Sequence, residues 1–160
     1  MADAALITDR AAEFREALPQ GGALMALDVG TRTIGTAFCD AGWRFASPGN
    51  TLMRTKFAAD RIKLETLVRE RGVAGVVIGL PRNMDGTEGP RAQASRAYAR
   101  NLAALGLPIL LWDERLSTAS AERAMIAQDM SRARRAERID AAAAAVILQG
   151  AIDALAGAVI

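Results

Sequence analysis

The sequence predicts an α/β fold: a mixed five-stranded sheet, an antiparallel meander followed by parallel strands, flanked by helices. Three observations lead to this class: three successive strand-like segments, a later alternation of strand-like and helix-like segments, and an alanine-rich composition with only 4% aromatic residues. Alternating strands and helices imply right-handed crossovers and a sheet covered on both faces. The 160 residues correspond to about one domain.

Three extended segments in the first half of the chain predict the antiparallel meander. Residues 24–29 are a short apolar run closed by Gly30, and the extended pattern resumes at residues 34–39 after a glycine-flanked turn, which predicts a hairpin. A third extended segment lies around residues 47–53. Residues 1–22 end in a glycine and proline break and predict a helical appendage ahead of one domain at residues 23–160.

The second half alternates helix-like and strand-like segments that glycine and proline signals separate. In chain order they are helix 56–71, strand 73–80, loop 81–90, helix 91–105, strand 108–112, helix 117–128, an arginine-rich solvated connector at 131–135 and helix 137–156.

Residue content restricts the chemistry. The chain has no histidine, which removes Ser-His-Asp and Cys-His nucleophile systems, imidazole-ligated zinc and an imidazole base. Carboxylates must therefore carry any hydrolysis. The single cysteine and the lack of a signal-peptide layout predict a cytoplasmic location. No apolar run approaches the roughly 20 residues of a membrane span.

Asp28 lies at the end of a segment whose other residues have the apolar pattern of a buried strand. An isolated carboxylate there would cost several kcal/mol, so it requires a metal ion or strong hydrogen-bond donors. A turn-capping role before Gly30 is the structural alternative, and the local pattern does not separate the two.

Asp113 and Glu114 repeat this arrangement at the end of the next apolar strand, directly before Arg115. Adjacent strand residues point to opposite faces, so one acid joins Asp28 while the other caps the following helix or pairs with an arginine. We favour Glu114 for the site. Functional sites of open α/β sheets collect at the carboxyl ends of strands, which supports a role for this acid pair.

Asp140 is the third candidate acid. It shares helical spacing with Ala143, Ala144 and Ile147, which places its position on the stripe facing the sheet. A first-turn acid that favours the helix dipole is the alternative. Three carboxylates would form a hard oxygen-ligand set for Mg²⁺ or Mn²⁺, which is suited to phosphate chemistry.

Three further segments offer contacts to a phosphate-bearing substrate, although plain loops and solvated charge runs are the common alternatives. The candidate substrate-binding residues are Thr31, Arg32, Arg82, Asn83, Arg132, Arg134 and Arg135.

Four blocks taken together, at residues 27–37, 79–86, 113–118 and 138–149, resemble the YqgF (RuvX) family. The resemblance spans residues 24 to about 152. It implies a ribonuclease H-like fold related to Holliday-junction resolvases and a nuclease role in maturing the 5′ end of pre-16S ribosomal RNA. It also implies catalytic acids at Asp28, Glu114 and Asp140, with Asp113 as an auxiliary acid. The chain departs from the family pattern at Thr33, where a second basic residue is common, and at Arg82, where an aliphatic one is common.

The leading hypothesis is therefore a metal-dependent endonuclease acting on structured RNA. A Holliday-junction resolvase is the alternative in the same class; it needs two opposed sites, so a symmetric homodimer favours it and a monomer does not. An actin-like or sugar-kinase ATPase would require two such domains, more than this length provides. A non-catalytic RNA-binding protein remains a third class, but the nearly neutral charge of +2 gives it little support.

Overall fold

The computed structural model describes residues 5–116 and 132–157, with side chains in the last helix from residue 141. Its strands are β1 (Ile7–Thr8), β2 (Ala23–Val29), β3 (Thr33–Cys39), β4 (Ser47–Met53), β5 (Val73–Leu80) and β6 (Ile109–Asp113). Its helices are α1 (Ala11–Ala17), α2 (Phe57–Arg71), α3 (Pro90–Leu102) and α4 (Arg132–Gly157), with 3₁₀ turns at Ala103–Leu105 and Glu114–Leu116. The predicted helix at 117–128 lies outside the described residues.

The strands form one mixed sheet in the order β1-β6-β5-β2-β3-β4. β2, β3 and β4 are the predicted antiparallel meander, while β5 and β6 run parallel to β2. This topology confirms the predicted fold class. It also brings the carboxyl ends of β2, β5 and β6 together at one edge of the sheet.

The sheet has six strands rather than the five predicted. The extra strand, β1, pairs with β6 in parallel, and Ile109 N donates to Leu6 O at 2.8 Å. Two residues carry no measurable periodicity, which is why the sequence pattern predicted only a helix here. That helix, α1, is present and places Phe14 and Leu18 in the core, so residues 5–20 pack against the sheet.

The arginine-rich stretch was predicted as a connector, and that prediction is wrong from Arg132 onward because α4 begins there. Arginine, alanine and glutamate are all good helix formers, so the segment continues the alanine-rich helix instead of interrupting it.

Two apolar layers cover the sheet. On one face, α1 and α4 pack through residues such as Leu148 and Ile152 against Leu24 and Ala26. On the other face, α2 and α3 pack through Leu64 and Leu102 against the opposite side of the sheet. Within the described ranges, no helix has the length and apolar character needed to cross a membrane.

Candidate active site

Asp28 lies near the end of β2 and only 4% of it is exposed. Leu24 and Ala26 belong to the apolar layer under α4, so strand alternation turns Asp28 toward the same face. Its register partner in β3 is Gly35. The register with β5, which pairs Leu27 with Ile78, places Gly79 beside Asp28 on the other flank. Neither neighbouring strand therefore contributes a side chain next to this carboxylate.

Glu114 begins the 3₁₀ turn that follows β6, and it is 6% exposed. Gly79 pairs with Trp112, two residues before Glu114. A Cβ built on Gly79 would lie 3.1 Å from Glu114 Oε2 and 2.6 Å from Ile147 Cδ1. The Glu114 carboxylate thus fills the space above Gly79, against α4.

The strand register places the two buried acids side by side on one face of the sheet. Adjacent strands are about 4.8 Å apart, so Asp28 projects beside the space above Gly79 that the Glu114 carboxylate occupies. Two carboxylates buried side by side repel each other unless a cation or a proton offsets their charge. Hard oxygen donors in such a pocket fit a divalent cation such as Mg²⁺ or Mn²⁺.

Asp140 lies in α4, and its side chain is outside the described set. Ala143, Ala144 and Ile147, which follow it at helical spacing, are fully buried against the sheet. Position 140 is thus two turns from Ile147, the residue that contacts the space above Gly79. Among the described side chains, no group of three or more acids or cysteines is placed to hold an ion. A ligand set of three carboxylates, with Asp140 as the third, stays a prediction.

Asp113 is turned away from Asp28 and pairs with arginines. Arg115 Nη2 donates to Asp113 Oδ2 at 2.7 Å, and Arg82 Nη1 lies 3.5 Å from the same oxygen. The hydrogen bonds from the Arg115 side chain lower the pKa of Asp113, against the opposing effect of its burial. Arginine pairing is one of the two roles that strand alternation allowed for the acid left out of the site.

Arg82 and Asn83 follow β5 in the loop at 81–89. Arg82 faces three carboxylates, those of Asp9, Glu88 and Asp113, at 3.4–3.5 Å. Asn83 Nδ2 donates to Thr87 Oγ1 at 2.9 Å within the loop. The structure therefore surrounds Arg82 with carboxylates of the protein itself. Its assignment to substrate binding stays a prediction, and these neighbours do not favour it.

Thr31 and Arg32 are exposed in the turn directly after Asp28, where a bound strand could reach them. Arg132, Arg134 and Arg135 begin α4, but their side chains lie outside the described set. The substrate contacts assigned to these five residues stay predictions.

Arg54 is a residue of this site that the sequence did not indicate. Its backbone N donates to Arg32 O at 2.8 Å and its Nη1 donates to Gly30 O at 2.7 Å. Its guanidinium stacks on the Tyr98 ring at 5.2 Å. Arg54 thus stabilises the turn after Asp28 through these two hydrogen bonds. In the sequence, an arginine that follows a predicted strand does not indicate such a role.

A model of the family described as RuvX, Holliday junction resolvase, matches residues 22–154. The chain belongs to the RuvX family. A relative from Novosphingobium aromaticivorans is 66% identical over 95% of this chain and 98% of its own length. Another, from Sphingopyxis alaskensis, is 65% identical over 94% of this chain and 99% of its own. Both are provisionally named pre-16S rRNA nuclease.

Solved structures place this RuvX-family chain in the fold of the RuvC resolvases. Thermus thermophilus RuvC bound to a Holliday junction substrate superimposes with a TM-score of 0.52, covering 86% of this chain and 97% of that one. A second Thermus thermophilus RuvC structure gives a TM-score of 0.51. The sequence identities are 12% and 14%, so these likenesses concern the fold, which is ribonuclease H-like as predicted.

Proposed function

We propose that this protein is a Mg²⁺- or Mn²⁺-dependent endonuclease that hydrolyses phosphodiester bonds in structured RNA and matures the 5′ end of pre-16S ribosomal RNA. The observation that supports the chemistry is that the Glu114 carboxylate fills the space above Gly79, the residue that the strand register places beside the buried Asp28. The substrate follows from the names of relatives that match the chain almost end to end. A cytoplasmic location belongs to the same proposal.

In this proposal Asp28, Glu114 and Asp140 hold the metal. A bound divalent ion would supply Lewis-acid activation of the phosphodiester and a more acidic water as nucleophile. Asp28 and Glu114 contribute carboxylate oxygens from a pocket that excludes most bulk water, which strengthens electrostatic interactions inside it. Gly35 and Gly79 place no side chain beside Asp28, and the Glu114 carboxylate takes the space above Gly79.

The chain's other residues would position the nucleic acid. Thr31 and Arg32 present a hydroxyl and a guanidinium beside Asp28, where they contact a backbone phosphate near the cleaved bond. Arg132, Arg134 and Arg135 add positive charge at the start of α4 for phosphates farther away.

Cleavage assays with and without Mg²⁺ test this proposal. The substrates are a labelled precursor fragment spanning the 5′ end of 16S rRNA and a four-way DNA junction. Wild type should cut the RNA only with the metal, and Asp28→Asn should lower the rate at least a thousandfold, about 4 kcal/mol of barrier. Asp40→Asn is the matched control, because Asp40 is an exposed acid at the opposite end of the sheet.

Two outcomes decide against the proposal. If Asp28→Asn cuts as fast as wild type, the carboxylate pocket is not the catalytic site. If the junction is cut and the RNA is not, the protein is a resolvase, the activity in the family description and the alternative for which the RuvC fold gives a precedent.

A further inference from the structure

Arg82 is the centre of an ion-pair network on the side of the Glu114 turn that faces away from Asp28. Its Nη1 lies 3.5 Å from Asp113 Oδ2, its Nη2 lies 3.5 Å from Asp9 Oδ2, and its Nε lies 3.4 Å from Glu88 Oε2. Only 21% of its side chain is exposed. One guanidinium therefore joins the end of β6, the residue after β1 and the loop at 81–89.

Asp113 connects this network to Glu114. Its Oδ1 accepts a hydrogen bond from Arg115 N at 3.0 Å, so the side chain caps the 3₁₀ turn in which Glu114 is the first residue. Arg115 Nη2 donates to the other oxygen at 2.7 Å. A three-residue turn has little rigidity of its own, so its orientation depends on such contacts.

The outer part of the network fixes the loop to α3. Glu88 accepts two hydrogen bonds from Arg96, at 2.6 and 2.7 Å, in the bidentate geometry of a strong arginine–carboxylate pair. Arg115 Nη1 lies 3.4 Å from Met84 O, which ties the loop to the Glu114 turn.

Within the described residues, the ion pairs of this network join three cations to three carboxylates. Its cations are Arg82, Arg96 and Arg115, and its carboxylates are Asp9, Glu88 and Asp113. A guanidinium that faces three carboxylates attracts a phosphate weakly, because the neighbouring negative charges offset its own field. Arg82 is thus poorly suited to contact the substrate, the role that the sequence suggested for it.

We propose that Arg82 and Asp113 are positioning residues that hold the Glu114 turn in its metal-binding orientation, an inference that rests on the proposed function. On one side the Glu114 carboxylate lies over Gly79, in the space that Ile147 Cδ1 also borders. Asp113 and Arg82 fix the other side of the same turn. Removing the network takes away the contacts that orient this turn, so the carboxylate is held less closely in its position.

The test compares wild type with Arg82→Met, which keeps the side-chain length and removes the charge, and with Asp113→Asn. Arg61→Met is the matched control, because it breaks an exposed pair with Glu65 on α2. We expect kcat on the precursor RNA to fall about tenfold or more in both network variants while KM stays within about twofold. Mn²⁺ affinity, measured by calorimetry without RNA, should weaken about tenfold.

RNA binding in the absence of metal separates positioning from substrate contact. A residue that pairs with a phosphate lowers the slope of log K against log salt by about one when it is removed. For Arg82→Met we expect an unchanged slope, and a reduced slope with raised KM would overturn the inference. Unchanged kcat and Mn²⁺ affinity would overturn it as well.

Two outcomes of this test call for a second variant or a second measurement. If Arg82→Met fails to fold, Arg82→Lys and Asp113→Asn decide: weakened Mn²⁺ affinity in folded protein supports positioning, and wild-type affinity in both contradicts it. If wild type cuts no RNA, the proposed function fails, while Mn²⁺ affinity and the salt slope still decide the role of Arg82.

Discussion

Gly79→Ala tests the proposed active site at a residue that has no side chain of its own. The added methyl would lie 3.1 Å from Glu114 Oε2, 3.2 Å from Glu114 Cδ and 2.6 Å from Ile147 Cδ1. Contacts under 3.0 Å require something to shift, so Ile147 must move, and contacts just above 3.0 Å press on the Glu114 carboxylate. A fully buried isoleucine on a long helix has little room to give.

Two separate losses follow from this crowding. Overpacking against Ile147 should lower the free energy of unfolding by about 1–3 kcal/mol. The Glu114 carboxylate must move by a few tenths of an ångström. This should lower kcat about tenfold, since a misplacement of about 1 Å costs about a hundredfold. Urea unfolding measures the first loss, and metal-dependent cleavage of the precursor RNA measures the second.

A double variant separates the two losses. Ile147→Val removes Cδ1, so Gly79→Ala with Ile147→Val should recover most of the stability but little of the activity, because Glu114 is still crowded. Gly157→Ala is the control, since a Cβ there meets nothing within 4 Å. Wild-type cleavage by Gly79→Ala, or full recovery of activity in the double variant, would refute the placement of Glu114 over Gly79.

Two further predictions concern pH. Burial raises the pKa of Tyr98, the chain's one tyrosine, to about 12. Its neutral form therefore stabilises the fold below pH 10, and about 1 kcal/mol is lost by about pH 11; urea unfolding of Tyr98→Phe should lack this loss. Hydrogen bonds from Arg96 lower the pKa of Glu88, so that contribution is present above the ordinary pKa and lost on acidification. Thermal melting of Glu88→Gln should therefore fall less steeply in acid than wild type, and equal slopes would contradict it.

The sequence predicted the sheet well because its strands are apolar runs bounded by glycine or proline. The prediction for β5, residues 73–80, agrees residue for residue. α2 ends at Arg71, and Gly72 caps it with a φ of 61° that suits glycine. The position of Asp28 and Glu114 at the same edge of the sheet was also predictable, since both lie at the carboxyl ends of strands that such a topology brings together.

Other features depend on tertiary contacts that no local pattern encodes. β1 is two residues long and exists because β6 offers it an edge. Arg82 looked like a substrate contact because it follows a strand near the site, yet the carboxylates around it come from positions 9, 88 and 113. Nothing in the sequence places those three acids together.

The residues beside Asp28 on the neighbouring strands bear on its role, as the other acids do. Its register partner is Gly35, and Gly79 lies on its other flank, so both neighbouring strands lack a side chain where the carboxylate projects. Each glycine weakens its strand, a cost of about 0.5–1 kcal/mol relative to alanine. At Gly79 packing alone also excludes a side chain, because a Cβ there would lie 2.6 Å from Ile147 Cδ1. Gly35 is therefore the neighbour that bears on the role of Asp28. A turn-capping aspartate does not require glycine opposite it, whereas a metal-holding carboxylate, as proposed, requires space for the ion beside it.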